Sequence, residues 1–199
     1  MKRVRAASGW ATSPPTLVAS GLQLEFPLDE GSGQTATDLI NAVAFTLGST
    51  ASADAQDPTW SSQGLVFASQ YAISGNVTQI PLGGDFTFYL AGVFSGTSAS
   101  RNPFGIADGN AGNMYHNIQG GVDCVSLVSR GASGANVSED LPVSPTDFTV
   151  LIMKVSGATC TLINANSGQS VSVANAAPTG SGRLGLGVNP RSTIGTGVD

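Results

Sequence analysis

Apolar and polar positions alternate along this chain in short runs separated by Gly, Pro, Asn and Ser, and nowhere does a 3.6-residue apolar stripe persist. The first run sets Leu22, Leu24, Phe26 and Leu28 against Gln23, Glu25 and Pro27, the period-2 signature of a strand with one buried face. It is predicted to enter a tight loop. Gly31 and Gly33 supply positive-φ freedom there, and Asp29 and Ser32 can bond nearby backbone amides. Residues 64–73, GLVFASQYAI, read as a strand pair bent at Ala68–Ser69. Residues 84–94 place Phe86, Phe88, Leu90 and Phe94 on one face and Thr87, Tyr89 and Val93 on the other, as in a central strand. Strands follow at 122–129 and 147–157, the latter turning at Ser156–Gly157 into 159–165 as a hairpin, then at 169–175 and 182–188. Regularly spaced short strands of this kind predict an all-β protein, a two-sheet antiparallel sandwich or jelly roll.

Composition agrees. Only 11% of the 199 residues are charged, against roughly 25% in an average globular protein, so the charged surfaces that cover helices are missing. The length suits one well-buried domain with a short appendage. A formal net charge of -5 and scattered basic residues argue against nucleic acid, and no run of 18 apolar residues offers a membrane span. The opening has the charged start of a signal peptide without its continuous apolar centre. Residues 1–20 carry Lys2, Arg3, Arg5 and Trp10, followed by Pro14 and Pro15, which favour an extended linker. This segment is an expected anchoring arm, either pinned by its own domain or docked on a larger acidic assembly. Residues 21–199 form the expected sandwich domain.

Cys124 and Cys160 lie in strand-like contexts and read as buried reduced thiols, with a disulfide staple the alternative if their strands are neighbours. The sequon matches at 76–78 and 136–138 carry no information without a signal peptide. His116 is the only histidine, has no nucleophile at a recognisable spacing, and reads as a polar loop residue. No cluster has zinc-ligand spacing. The best candidate for recognition is the stretch 105–117, expected to be a loop. Asp108, Asn110 and Asn113 offer hydrogen-bonding groups there, with His116 beside them and Tyr115 as a flat platform for a sugar's C–H face. A solvated Asn-Gly turn is the plainer reading of the same residues.

The stretch LEFPLDEGSGQTATDLINAVAFTL resembles the opening of the laminin-G-like, concanavalin-A-like lectin family, in which an aromatic-x-Leu-Asp-Glu-Gly-Ser-Gly strand and turn precede Ala-x-Asp. DPTW at 57–60, the Phe-Thr-Phe strand of residues 86–88 and GRLGLGVNP at 182–190 fall in the family's order, so the resemblance spans roughly residues 22–190. It implies the concanavalin A-like jelly roll. Two departures accompany it: the family's closing Asp-Gly-x-Ile strand is expected where the chain stops, and the basic arm is foreign to the isolated module.

Some relatives with this fold are glycoside hydrolases, which need two carboxylates on one face. Here Asp29–Glu30 and Glu139–Asp140 are adjacent pairs in expected turns, and neighbouring strand residues point to opposite faces. No catalytic residue and no metal ligand are therefore expected, and no cofactor, although oxygen-rich loops of some family members hold calcium. Modules with a short anchoring leader are familiar in tailed-phage virion proteins. The resemblance therefore implies a non-enzymatic virion structural protein, a capsid decoration or tail appendage on the virion surface, assembled in the host cytoplasm. Its expected partners are other virion proteins, further copies of itself and cell-surface glycans, with no nucleic acid and no membrane. A stand-alone carbohydrate-binding module is the alternative, and a hydrolase the third.

Overall fold

The computed structural model describes residues 23–48, 50–62, 64–68, 70–81, 84–94, 103–108, 114–120, 123–130, 136–175 and 181–187. Among them run β1 (Thr35–Thr37), β2 (Ala44–Leu47), β3 (Thr59–Ser61), β4 (Gly64–Val66), β5 (Ala72–Pro81), β6 (Phe86–Val93) and β7 (Phe104–Asp108). After these come β8 (Met114–Gly120), β9 (Cys124–Arg130), β10 (Asn136–Pro142), β11 (Phe148–Ser156), β12 (Thr159–Asn164), β13 (Ser170–Ala174) and β14 (Ser181–Leu186). An eight-stranded sheet has the order β1-β2-β5-β14-β7-β8-β9-β10, and a four-stranded sheet the order β13-β12-β11-β6. A small ribbon, β3-β4, stands apart. Every pairing is antiparallel. The expected two-sheet antiparallel sandwich of jelly-roll type is the fold.

Period-2 alternation buries one row of each strand between the two sheets. Phe45 and Leu47 of β2, Leu184 and Leu186 of β14, Phe104 and Ile106 of β7, and Val125 and Leu127 of β9 belong to the same core as Leu151, Met153 and Val155 of β11 and Cys160 and Leu162 of β12. Phe88 and Phe104 stack across the sheets, with ring centroids 3.7 Å apart and 14° between planes. The expected hairpin at Ser156–Gly157 joins β11 and β12 from Ser156↔Thr159 to Leu151↔Asn164, and Gly157 has φ 55° there. Gly187, at φ 77°, ends β14 where a Cβ would lie 2.4 Å from Phe67 and 2.6 Å from the Gln70 carbonyl oxygen. Only glycine lets that strand close against Phe67 and Gln70.

Four expectations need correction. The run Gln23–Leu28 forms no strand: Pro27 lacks a donor, and the segment is held instead by the turn at Asp38. The 64–73 pair does bend near Ala68, but β4 pairs with β3 and β5 with β2 and β14. Strand β6 is an edge, not a centre, and Tyr89 and Val93 stand 44% and 52% exposed on its outer face. Glu139 and Asp140, expected in a turn, lie within β10. The arm at 1–20 lies outside the described residues.

Candidate functional site

The two faces of the eight-stranded sheet differ sharply in chemistry. Leu184 and Leu186 enter the core, so Arg183 and Gly185 occupy the opposite face of β14, at the middle of the sheet. The register sets Arg183 opposite Asn76 of β5 and Ala107 of β7, and sets Gly185 opposite Ile73 and Gly105. Gly105 is in turn opposite Asn117, and Asn117 opposite Val128. Ala107 is fully buried and Val128 nearly so even on this face, covered by their neighbours. Facing glycines leave room for a ligand chain to approach the backbone.

Arg183 is held by an irregularity in the sheet. The β14–β5 register shifts between Arg183 and Gly185, which frees the Leu184 amide from the ladder. That amide donates to Ser74 Oγ at 2.9 Å, and Ser74, 3% exposed, passes its own proton to the Gly75 carbonyl at 2.7 Å. Bulges of this kind re-aim a side chain, and a second register shift lies between Ile106 and Ala107 in the β7–β8 pair. Arg183 Nε is buried and has no hydrogen-bond partner among the described residues. Toward the far edge of the same face Ser126 Oγ donates to Asp140 Oδ1, with Gln119 as the next position in that row.

The proposed recognition residues divide. Asn110 and Asn113 lie outside the described residues, as do Lys2, Arg3, Arg5 and Trp10. Asp108 closes β7 opposite Gly182, and Tyr115 and His116 belong to β8, so the expected loop 105–117 is largely two strands. His116 pairs with Ile106 and Ser129. Arg183 itself escaped notice in the sequence. The available signal was one charge alternating with Leu and Gly in an otherwise uncharged strand, GRLGLG.

No family model matches the chain, and no curated protein does. Solved structures do match. One is a family 7 alginate lyase, A1-II', in complex with product, at TM-score 0.46 and 12% identity over 78% of this chain and 74% of that one. Another is alginate lyase A1-II', a member of polysaccharide lyase family 7, at TM-score 0.44 and 13% identity over 78% of this chain and 73% of that one. At such identity the likeness is one of fold. Both of those proteins are enzymes, so the expectations of a non-enzymatic virion structural protein and of a stand-alone carbohydrate-binding module are corrected: neither is what these matches are. Phage origin and the laminin-G-like assignment find no support among these matches.

Both cysteines are free, Cys124 half-buried on β9 and Cys160 buried on β12. Burial pushes the Cys160 thiol up to about 12. Cys124 is raised too, by burial first and then by the charges of Asp140 and Asp123. Since the thiolate is the nucleophile, both should resist alkylation near neutral pH. With iodoacetamide, Cys124 is expected to react slowly and Cys160 only after denaturation. Asp140→Asn should speed the first reaction and leave the second unchanged, read by mass spectrometry of the labelled peptides.

Proposed function

We propose that this protein is an enzyme that cleaves an anionic, uronate-containing polysaccharide on the outer face of its eight-stranded sheet. The observation that carries the reading is Arg183, whose buried Nε has no partner among the described residues. A buried N–H left unpaired costs about 1–3 kcal/mol, more on a charged group, and a bidentate carboxylate would satisfy it. In a chain of net charge -5, such a cation at the centre of a glycine-lined face is a specific feature, not a general attraction for anions.

A carboxylate paired with Arg183 loses part of its negative charge, which makes the neighbouring C5–H of a uronate more acidic. A base then takes that proton, the C4–O bond breaks, the leaving oxygen receives a proton, and a C4=C5 double bond remains. This elimination consumes no water and needs no carboxylate pair of the hydrolase kind. Strand β8 lies two strands from β14, about 10 Å by strand spacing. It brings Tyr115, in the same row as Asn117, as the proton-moving group of this reading, whereas His116 and Asp108 fall in the alternate rows that hold Ile106 and Leu184.

Alginate, the polymer named for the two solved structures, is the first substrate to assay. The expected result is growth of the ultraviolet absorbance of the unsaturated uronate product, with a neutral glucan giving none. Arg183→Ala should lower kcat/KM by about 10²- to 10³-fold, the loss typical of one positioned donor, while circular dichroism stays the same. Arg183→Lys should recover only part. If no uronate polymer yields unsaturated product, the enzyme reading fails.

A further inference from the structure

A recess opens at one end of the sandwich, between the 143–147 connection and the 165–169 turn, and shares no residue with the Arg183 face. Its volume is about 360 Å³, at the small end of the roughly 300–1,000 Å³ of ligand sites. Two polar side chains that line it are almost fully buried: Asn164 at 6% and Thr149 at 3% exposure. Asn164 Oδ1 accepts the Asn166 and Ser167 amides at 3.0 and 3.3 Å, and Nδ2 donates one proton to the Pro142 carbonyl at 3.3 Å. An amide nitrogen carries two protons, so one buried donor remains. Thr149 Oγ1 donates to the Asp147 carbonyl at 3.3 Å and keeps its lone pairs as an acceptor.

The walls are braced. Asn166 uses both ends of its amide on the backbone of β11, accepting from the Val150 N–H at 2.9 Å and donating to the Phe148 carbonyl at 3.1 Å. Asp147 is the one charged residue of the lining. From these observations we infer that the recess binds a single neutral hexopyranose unit. A sugar hydroxyl both donates and accepts, which matches a buried floor offering one of each. Asp147 takes a second hydroxyl at the rim while repelling an acidic sugar. The site would hold a neutral residue of a glycan, separate from any acidic chain at Arg183.

The test is NMR titration of the side-chain amides of Asn164, Asn166 and Gln169 with methyl glucopyranoside, methyl mannopyranoside and methyl galactopyranoside, with glucuronate as the acidic comparison. At least one neutral glycoside is expected to give saturable shifts in the millimolar range, and glucuronate none. Thr149→Val keeps the shape and removes the hydroxyl, and should abolish the shifts. Asp147→Ala, at the exposed rim, should weaken binding several-fold. Absence of saturable shifts with all three glycosides overturns the inference, and so do equal shifts with glucuronate or shifts that survive both substitutions. Arg183→Ala should leave the titration unchanged, so this inference and the enzyme reading fail separately.

Discussion

Phe104→Ala is expected to destabilise the protein by about 3–5 kcal/mol, the range for removing a fully buried phenylalanine. The ring is 0% exposed and stacks on Phe88 of β6, so it joins the central part of the large sheet to the edge strand of the small one. Ile118 and Leu186 flank it as register partners on the two neighbouring strands. Those neighbours are fixed by their own ladders and cannot collapse into the void. The lost aromatic pair adds about 0.5–1.5 kcal/mol to the cost of the missing area. The effect also reaches the outer face, because Gly105 and Ala107 follow on the same strand and Ala107 is the register partner of Arg183. Urea unfolding should show a lower midpoint with an unchanged slope. Phe104→Leu should recover most of the stability, and a midpoint for Phe104→Ala within experimental error of the parent would remove this residue from the core account.

Local signals were legible in the sequence and non-local ones were not. The β11–β12 hairpin was readable because both strands and the Ser156–Gly157 turn lie within one short stretch, and turn chemistry fixes the pairing. Strand β14 was found as a strand, yet nothing nearby in sequence says that it sits between β5 and β7. Hence Arg183, whose importance comes from that central position, was invisible as a site. For β6 the apolar outer face suggested a covered strand. Burial on two faces and exposure on an edge look the same in a run of Phe, Tyr and Val, and only the order β13-β12-β11-β6 separates them. Glu139 and Asp140 misled in the opposite direction, since charged neighbours suit turns, but at the edge of a sheet they also suit a strand and discourage pairing with another chain. In the sheet Asp140 is tied to Ser126 on the neighbouring strand.

Asp38→Ala is expected to cost about 3–6 kcal/mol, from the loss of two hydrogen bonds to a charged acceptor at about 1.5–3 kcal/mol each. Asp38 is 2% exposed, and its two carboxylate oxygens divide the work: Oδ1 accepts the Glu25 amide and Oδ2 accepts the Asn41 amide at 2.5 Å. The Asp38 amide donates to the Val43 carbonyl at 2.7 Å, the Leu39 amide to the Glu25 carbonyl at 2.9 Å, and Asn41 Nδ2 to the Gln23 carbonyl at 2.5 Å. One side chain thus closes the β1–β2 turn and clamps the segment 23–28 beside it. That segment carries Leu24, Phe26 and Leu28 onto the core, Phe26 with its ring centroid 4.5 Å from that of Phe45. The Asp of the Ala-x-Asp pattern is therefore a structural clamp, and the failure of 23–28 to become a strand is the other side of the same bond. Asp38→Asn retains an acceptor for one amide while turning an NH₂ group toward the other, so it should fall between alanine and the parent. Hydrogen exchange separates the clamp from a general loss of stability. In Asp38→Ala the amides of Glu25, Leu39 and Asn41 should exchange faster than those of β11 and β12, and uniform acceleration across both sheets would mean that Asp38 is not the clamp.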